Sequence, residues 1–278
     1  MTVAFVLGGG GVRGAVQIGM LRALLESGIR PDLIVGTSVG AINGALVASD
    51  PRPAVVDRLL DAWTSPEANS VYGDSLFAQF TRLVRTRTHL NSPAPLRRLL
   101  ERALGEDARF EDLPVRLRVV AASIERAAER VFDSGPLIDA VLASASVPGL
   151  LPPTRIGEEH FIDGGIVNSI PIAHAVETGA DTVFVLQVGR VETPLEAPQT
   201  AVDTARVAFE VARRHRYARD LATVPEGVTL LVLPSGEPGG DDSLLSYRRM
   251  DSVRGRIDRA YEAGREFLAA HGLVGGDA

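Results

Sequence analysis

The chain has 278 residues, 45% hydrophobic and 23% charged, which suits a large globular α/β protein and excludes a disordered or fibrous one. There is no cysteine, and all 29 basic residues are arginine, so thiol nucleophiles, disulfides, thiolate metal sites, lysine Schiff bases and phosphate-loop lysines are excluded. A net charge of -6 and a 5% share of aromatics argue against a nucleic-acid partner.

Met1–Leu7 lacks a basic start, and no apolar stretch approaches the ~20 residues of a spanning helix. The expectation is a soluble, cytoplasmic protein. Val3–Leu7 is a continuous apolar run that reads as a buried parallel strand. It opens into Gly8-Gly9-Gly10-Gly11-Val12-Arg13-Gly14. Val16, Met20, Leu21, Leu24 and Leu25 then recur at helical spacing, with Gly28 as the stop. Leu33–Val35 is a second buried strand, broken by Gly36-Thr37-Ser38-Val39-Gly40 and followed by an alanine-rich helix. Strand, loop and helix, twice over, begin a doubly wound sheet.

Leu76, Phe77, Phe80, Leu83 and Val84 form an amphipathic face beside Arg82, Arg85 and Arg87. It reads as a helix packed on the sheet, with contact to a membrane surface as the alternative. Leu96, Leu99, Leu100, Ala103 and Leu104 make a second such face. Leu117–Ile124 is a predicted strand and Leu137–Ser146 a predicted helix ended by Pro148-Gly149. Pro171 suits the first turn of a helix, with Asn168 or Ser169 as its cap. Thr182–Val188 and Val228–Leu233 read as strands, Ala201–Leu221 and Ser252–Ala270 as helices. Glu192–Gln199 is the best linker candidate. A strand follows it, so the expectation is one domain over 1–278, its motifs in a core of about 3–190 and a helical and strand part over 191–278.

Gly9, Gly11 and Gly14 match G-x-G-x-x-G after a strand, as in a dinucleotide-binding turn. That reading needs an acid at the end of the second strand. Asp32 precedes that strand, which ends in Gly36-Thr37-Ser38 instead, so an NAD(P)-binding oxidoreductase stays an alternative without its ribose ligand. The other use of such a loop is an oxyanion hole, with Gly10 and Gly11 best placed as donors. A ligand-free turn is the plain reading.

Gly36-x-Ser38-x-Gly40 matches G-x-S-x-G between strand and helix. Such an elbow needs small flanking residues and exposes a serine hydroxyl at the carboxyl end of the sheet. Read alone, it is equally a serine N-cap. Of the five histidines, His89, His160, His174, His215 and His271, none has a carboxylate suggested by spacing, so a histidine triad is the weaker reading. Asp163 ends a predicted strand before Gly164-Gly165, which would let another segment come close. Asp-Gly between apolar runs is also a hairpin signal.

Taken in order, Gly9–Gly14, Gly36–Gly40, Ala143-Ser144 with Pro148, and Asp163-Gly164-Gly165 with Asn168 and Pro171 resemble the patatin-like phospholipase family. The resemblance implies a three-layer α/β/α fold with a mostly parallel sheet, hydrolysis of lipid acyl esters, and no metal, cofactor or histidine in the chemical step. It makes Ser38 the nucleophile, Asp163 the proton acceptor and Gly9, Gly10, Gly11, Val12, Arg13 and Gly14 the oxyanion loop. Gly36, Thr37, Val39 and Gly40 shape the elbow, and Gly164, Gly165 and Asn168 support the base. An acyltransferase using the same acyl-enzyme is an alternative. A free aspartate, with a pKa near ~3.9, is a weak base at neutral pH, so Asp163 needs a dry, apolar setting. Arg13 pins the loop through a structural contact or meets a substrate phosphate. Asp241-Asp242 reads as a solvated loop.

Overall fold

The computed structural model describes residues 1–65, 88–189, 191, 194–236 and 250–273. The Leu76–Val84 face and Asp241-Asp242 lie outside them. Strands are β1 (Val3–Leu7), β2 (Leu33–Thr37), β3 (Arg116–Ser123), β4 (Ala128–Phe132), β5 (Thr154–Ile156), β6 (Glu159–Asp163), β7 (Thr182–Leu186) and β8 (Thr229–Val232). Helices are α1 (Val16–Glu26), α2 (Val39–Ser49), α3 (Val55–Thr64), α4 (Ala94–Leu104), α5 (Leu137–Ser144), α6 (Gly165–Asn168), α7 (Ile172–Glu177), α8 (Ala201–Ala222) and α9 (Met250–Ala270).

The sheet runs β5-β6-β3-β2-β1-β7-β8, with β4 also on β3. β1, β2, β3, β7 and β8 are parallel to one another, and β4, β5 and β6 add antiparallel pairs at one side. The strand pleat divides the core into two layers. Phe5, Leu7, Ile34, Phe184 and Leu186 point to a large cluster with α1, α2, α4, α5 and α9. Ala4, Val6, Leu33, Val35, Val183 and Val185 point to the opposite cluster, which Ile172 and Ala175 of α7 and Tyr217 of α8 complete. Helices on both faces of the sheet give the expected α/β/α sandwich.

Why these strands were legible follows from their burial. β1, β2 and β7 are apolar on both faces, as a parallel sheet covered on both sides requires. The predicted helix Leu137–Ser146 stops two residues early, and its end is a tight turn through Ala145. The expected side-chain cap on α7 is absent: Pro171 itself is the N-cap residue, Ser169 Oγ is buried, and Asn168 bonds elsewhere. Asp163-Gly164 makes no hairpin but leads straight into α6.

β3 carries the register that matters most. One edge pairs with β4 over Val119–Ser123. The other edge pairs with β2 up to Thr37 opposite Val120, then with β6 from Asp163 opposite Ala121. The end of β2 and the end of β6 therefore meet on the same edge of β3, at adjacent positions. That brings residues 38 and 163 together although 125 positions separate them.

Candidate active site

Ser38 sits between β2 and α2 with φ 57° and ψ −124°, a backbone setting that side chains rarely adopt. Such settings cost ~1–3 kcal/mol and persist only where the surroundings impose them. Two glycines do so. A Cβ on Gly36 would lie 2.5 Å from the Gly40 carbonyl oxygen, and one on Gly40 would lie 2.0 Å from that of Leu7. The Ser38 hydroxyl does not cap α2. It donates instead to Asp163 Oδ2 at 2.5 Å, with both residues buried.

Asp163 is held from three sides. Its Oδ1 accepts the Gly165 N–H at 2.7 Å, its own N–H donates to the Ser146 carbonyl at 2.9 Å, and Gly164 N–H donates to that of Ser144 at 3.3 Å. A Cβ on Gly164 would fall 2.2 Å from the Val120 oxygen, so only glycine lets this turn lie against β3. Burial pushes the Asp163 carboxyl up to about 6, against the lowering pull of the Ser38 and Gly165 hydrogen bonds. Asp163 thus sits in a dry setting that raises its affinity for a proton.

Ser144, which the sequence offered only as part of a motif, has a specific task. Its fully buried Oγ accepts the Ser38 N–H at 2.8 Å and donates to the Val120 carbonyl at 2.6 Å. The end of α5 and the turn after it therefore hold the elbow by a side chain and Asp163-Gly164 by two carbonyls. The signal for it was a serine in the otherwise apolar run Ala140–Ala145. Thr37 Oγ1 donates to the Asn168 carbonyl at 2.9 Å and so ties the elbow to α6. The Asn168 side chain faces away, donating to Glu129.

In the glycine loop, Gly8 N–H donates to Leu186 and Gly9 N–H to Ser169. The amides of Gly10 and Gly11 meet no acceptor among the described residues, and the 3-10 turn Gly11–Ala15 begins there. A Cβ at Gly9 would lie 3.2 Å from Ser38 Cβ, which places the loop directly beside Ser38. At Gly10 it would strike Val188 Cγ2 at 1.9 Å, and Gly11 has φ 57°. A Gly14 Cβ would meet Val39 Cγ2 at 2.3 Å. Val12 and Arg13 follow, both half-buried. Arg13 Nη1 stands beside Gly189, and Arg213 Nη1 approaches the same glycine. Burial lowers the Arg213 pKa; Glu210 opposes this and Arg13 adds to it.

No histidine reaches the dyad. Exposed His160 pairs with Glu125, His174 pairs with Glu129 and Glu177, and His271 bonds the Phe267 carbonyl at the end of α9. Glu125 in the turn after β3 and Glu129 on β4 reach His160 and His174 through the fold, whereas Glu177 lies three residues along α7 from His174, a pair that helical spacing could have revealed. Phe209 of α8 was also missed. A Cβ on Gly165 would lie 2.9 Å from both Asp163 Oδ1 and Phe209 Cζ, so the ring edge and the carboxylate border one small space.

Residues 5–176 match the patatin-like phospholipase family. Lysophospholipase nte1 of Aspergillus terreus is 30% identical over 288 residues, which cover 96% of this chain and 18% of that protein. Patatin-like phospholipase domain-containing protein 6 of Homo sapiens is 34% identical over 190 residues, covering 68% and 13%. The chain thus spans less than a fifth of these relatives. In fold it is similar to VipD from Legionella pneumophila, with a TM-score of 0.51, 16% identity and coverage of 97% and 67% of the two chains. Human GIVD cytosolic phospholipase A2 gives a TM-score of 0.50 at 12% identity, covering 98% and 58%. Nothing in these likenesses favours a dinucleotide-binding oxidoreductase, and the elbow stands where its ribose acid would be. With more than half its length matched, the chain belongs to the patatin-like phospholipase family.

Proposed function

We propose that this chain hydrolyses lipid acyl esters through an acyl-enzyme on Ser38, with Asp163 as its only base. The observation that carries this reading is the 2.5 Å Ser38–Asp163 hydrogen bond in a buried site that pushes the carboxyl up to about 6. Ser38 Oγ attacks the ester carbonyl carbon while its proton passes to Asp163 Oδ2. The tetrahedral oxyanion is stabilised by the Gly10 and Gly11 amides. As the intermediate collapses, the ester C–O bond breaks and the leaving alcohol takes the proton from Asp163. Water then gives its proton to Asp163 and attacks the acyl carbon, and Ser38 recovers a proton as the carboxylic acid leaves. A base near ~6 is ionised at neutral pH and far stronger than a free aspartate, and each oxyanion donor is typically worth ~10²–10³ in rate.

A lipid substrate is supported by the names of the relatives, by Arg13 and Arg213 beside Gly189, and by exposed apolar side chains next to the dyad. Ile166 of α6 and Phe209 of α8 are 40% and 37% exposed, and Phe209 stands against Gly165 beside the Asp163 carboxylate. The same lip supports peripheral contact with a lipid surface. No helix among the described residues is long and apolar enough to cross a membrane.

A fluorophosphonate ester tests the reading. Wild type should be labelled at Ser38 and should hydrolyse acyl esters, and Ser38→Ala should do neither. An unlabelled, inactive wild type overturns the proposal.

A further inference from the structure

Beneath the glycine loop lies a chain of polar side chains that the dyad mechanism does not use. Trp63, in the last turn of α3, donates its indole N–H to Asn43 Oδ1 at 2.9 Å. Asn43 of α2 spends both amide hydrogens, one on the Gly14 carbonyl at 3.1 Å and one on Gln17 Oε1 at 2.9 Å. Gln17, in the first turn of α1, spends both of its own on the carbonyls of Gly8 at 2.8 Å and Leu186 at 2.9 Å. Gln17 and Asn43 are fully buried.

The direction of this chain is fixed. Flipping Asn43 would set its oxygen against the Gly14 oxygen and its NH2 against the indole N–H. Flipping Gln17 would bring its oxygen against two carbonyls. Each group thus orients the next, from Trp63 inward. Two of the three carbonyls reached, those of Gly8 and Gly14, bracket the loop whose Gly10 and Gly11 amides meet no acceptor among the described residues. Oxyanion donors act only when held at the right position before the charge develops.

We propose that Trp63, Asn43 and Gln17 are positioning residues that set the aim of the Gly10 and Gly11 amides by clamping both ends of the glycine loop. They touch no reacting atom. The proposal rests on the hydrolase reading above. A merely structural role would have them satisfy buried carbonyls and affect folding alone.

The test measures kcat and KM per active site, counted by end-point fluorophosphonate labelling, in Gln17→Met, Trp63→Phe and the double variant. Gln17→Met should lose about 10²-fold in kcat, the scale of one misaimed oxyanion donor. Trp63→Phe, which keeps an aromatic ring but removes one donor, should lose about 5-fold, the scale of one hydrogen bond. KM and the pH midpoint of the reaction should stay near wild type. The double variant should lose less than the product of the two single losses, because both substitutions act through the shared Asn43 side chain. Trp63 is the single tryptophan, so its emission in Gln17→Met reports whether the fold around the relay is kept. In folded protein, kcat per site within twofold of wild type, or multiplicative losses in the double variant, overturns the proposal. If Gln17→Met does not fold, unchanged kcat in Trp63→Phe does so. A wild type that neither labels nor turns over refutes the hydrolase reading instead.

Discussion

Asp163 is buried, and that burial raises its carboxyl pKa. Its folded pKa of about 6 lies above its ordinary 3.8, so the folded chain holds that proton more tightly than the unfolded chain. The stability this contributes is complete below about pH 4 and is lost as pH rises through about 6. Above that, ionised Asp163 costs up to ~3 kcal/mol. Asparagine cannot ionise, and it fits: its oxygen can accept the Gly165 N–H and its NH2 can donate to Ser38 Oγ. Asp163→Asn should therefore be inactive yet more stable than wild type at pH 8, with the difference vanishing by pH 4, as checked by urea unfolding across pH. Less stability than wild type at pH 8 would contradict the burial argument. Ser38 and Asp163 were legible because their neighbouring glycines mark a strained elbow and a close approach. Ser144, Gln17 and Asn43 were not. A polar residue on an apolar helix face does not reveal which distant carbonyl it serves.

At the level of elements, the site depends on two strand ends meeting on one edge of β3. The parallel strands could be read from their unbroken apolar runs. β4 could not, since Ala128–Phe132 is exposed or half-buried throughout, and β5 has only three residues. The expectation also passed over α3, which follows the proline-broken Asp50–Pro53. The elbow's packing against β1 gives a sharp contrast between two glycines of α2. Gly40→Ala drives a Cβ into the rigid Leu7 carbonyl and should cost at least ~3 kcal/mol or prevent folding. Gly44→Ala meets side chains alone, Ile34 Cγ2 at 3.0 Å and Leu117 Cδ1 at 3.6 Å, and gains helix propensity, so it should stay within ~1 kcal/mol of wild type in thermal unfolding. Equal costs would mean that the elbow does not depend on its approach to β1.

At the scale of the whole molecule, the family match ends at residue 176, within α7, while two long helices follow. α9 packs on α1 so closely that a Cβ on Gly19 would lie 2.1 Å from the Ile257 carbonyl. α8 reaches the site itself, with Phe209 against Gly165 and Arg213 donating to the Val188 carbonyl at 2.6 Å. Sequence patterns gave these helices their extents but no role, because the contact joins elements distant in the chain. If the Phe209 ring receives the acyl chain, Phe209→Ala should lower kcat/KM for long-chain esters about 10-fold, the scale of one lost apolar contact surface. Short-chain esters should change less than about twofold. A loss independent of chain length would remove Phe209 from substrate recognition.

The dyad itself is tested most directly by the pH dependence of Ser38 acylation in single-turnover reactions with an activated ester, for wild type and Asp163→Asn. The wild-type rate should rise with pH to a midpoint near 6 and stay level above it, because Asp163 must be ionised to accept the serine proton. Asp163→Asn should show no such step and be slower by at least ~10³-fold. Near-normal acylation in Asp163→Asn, or a wild-type midpoint unmoved by that substitution, would contradict a Ser38–Asp163 dyad.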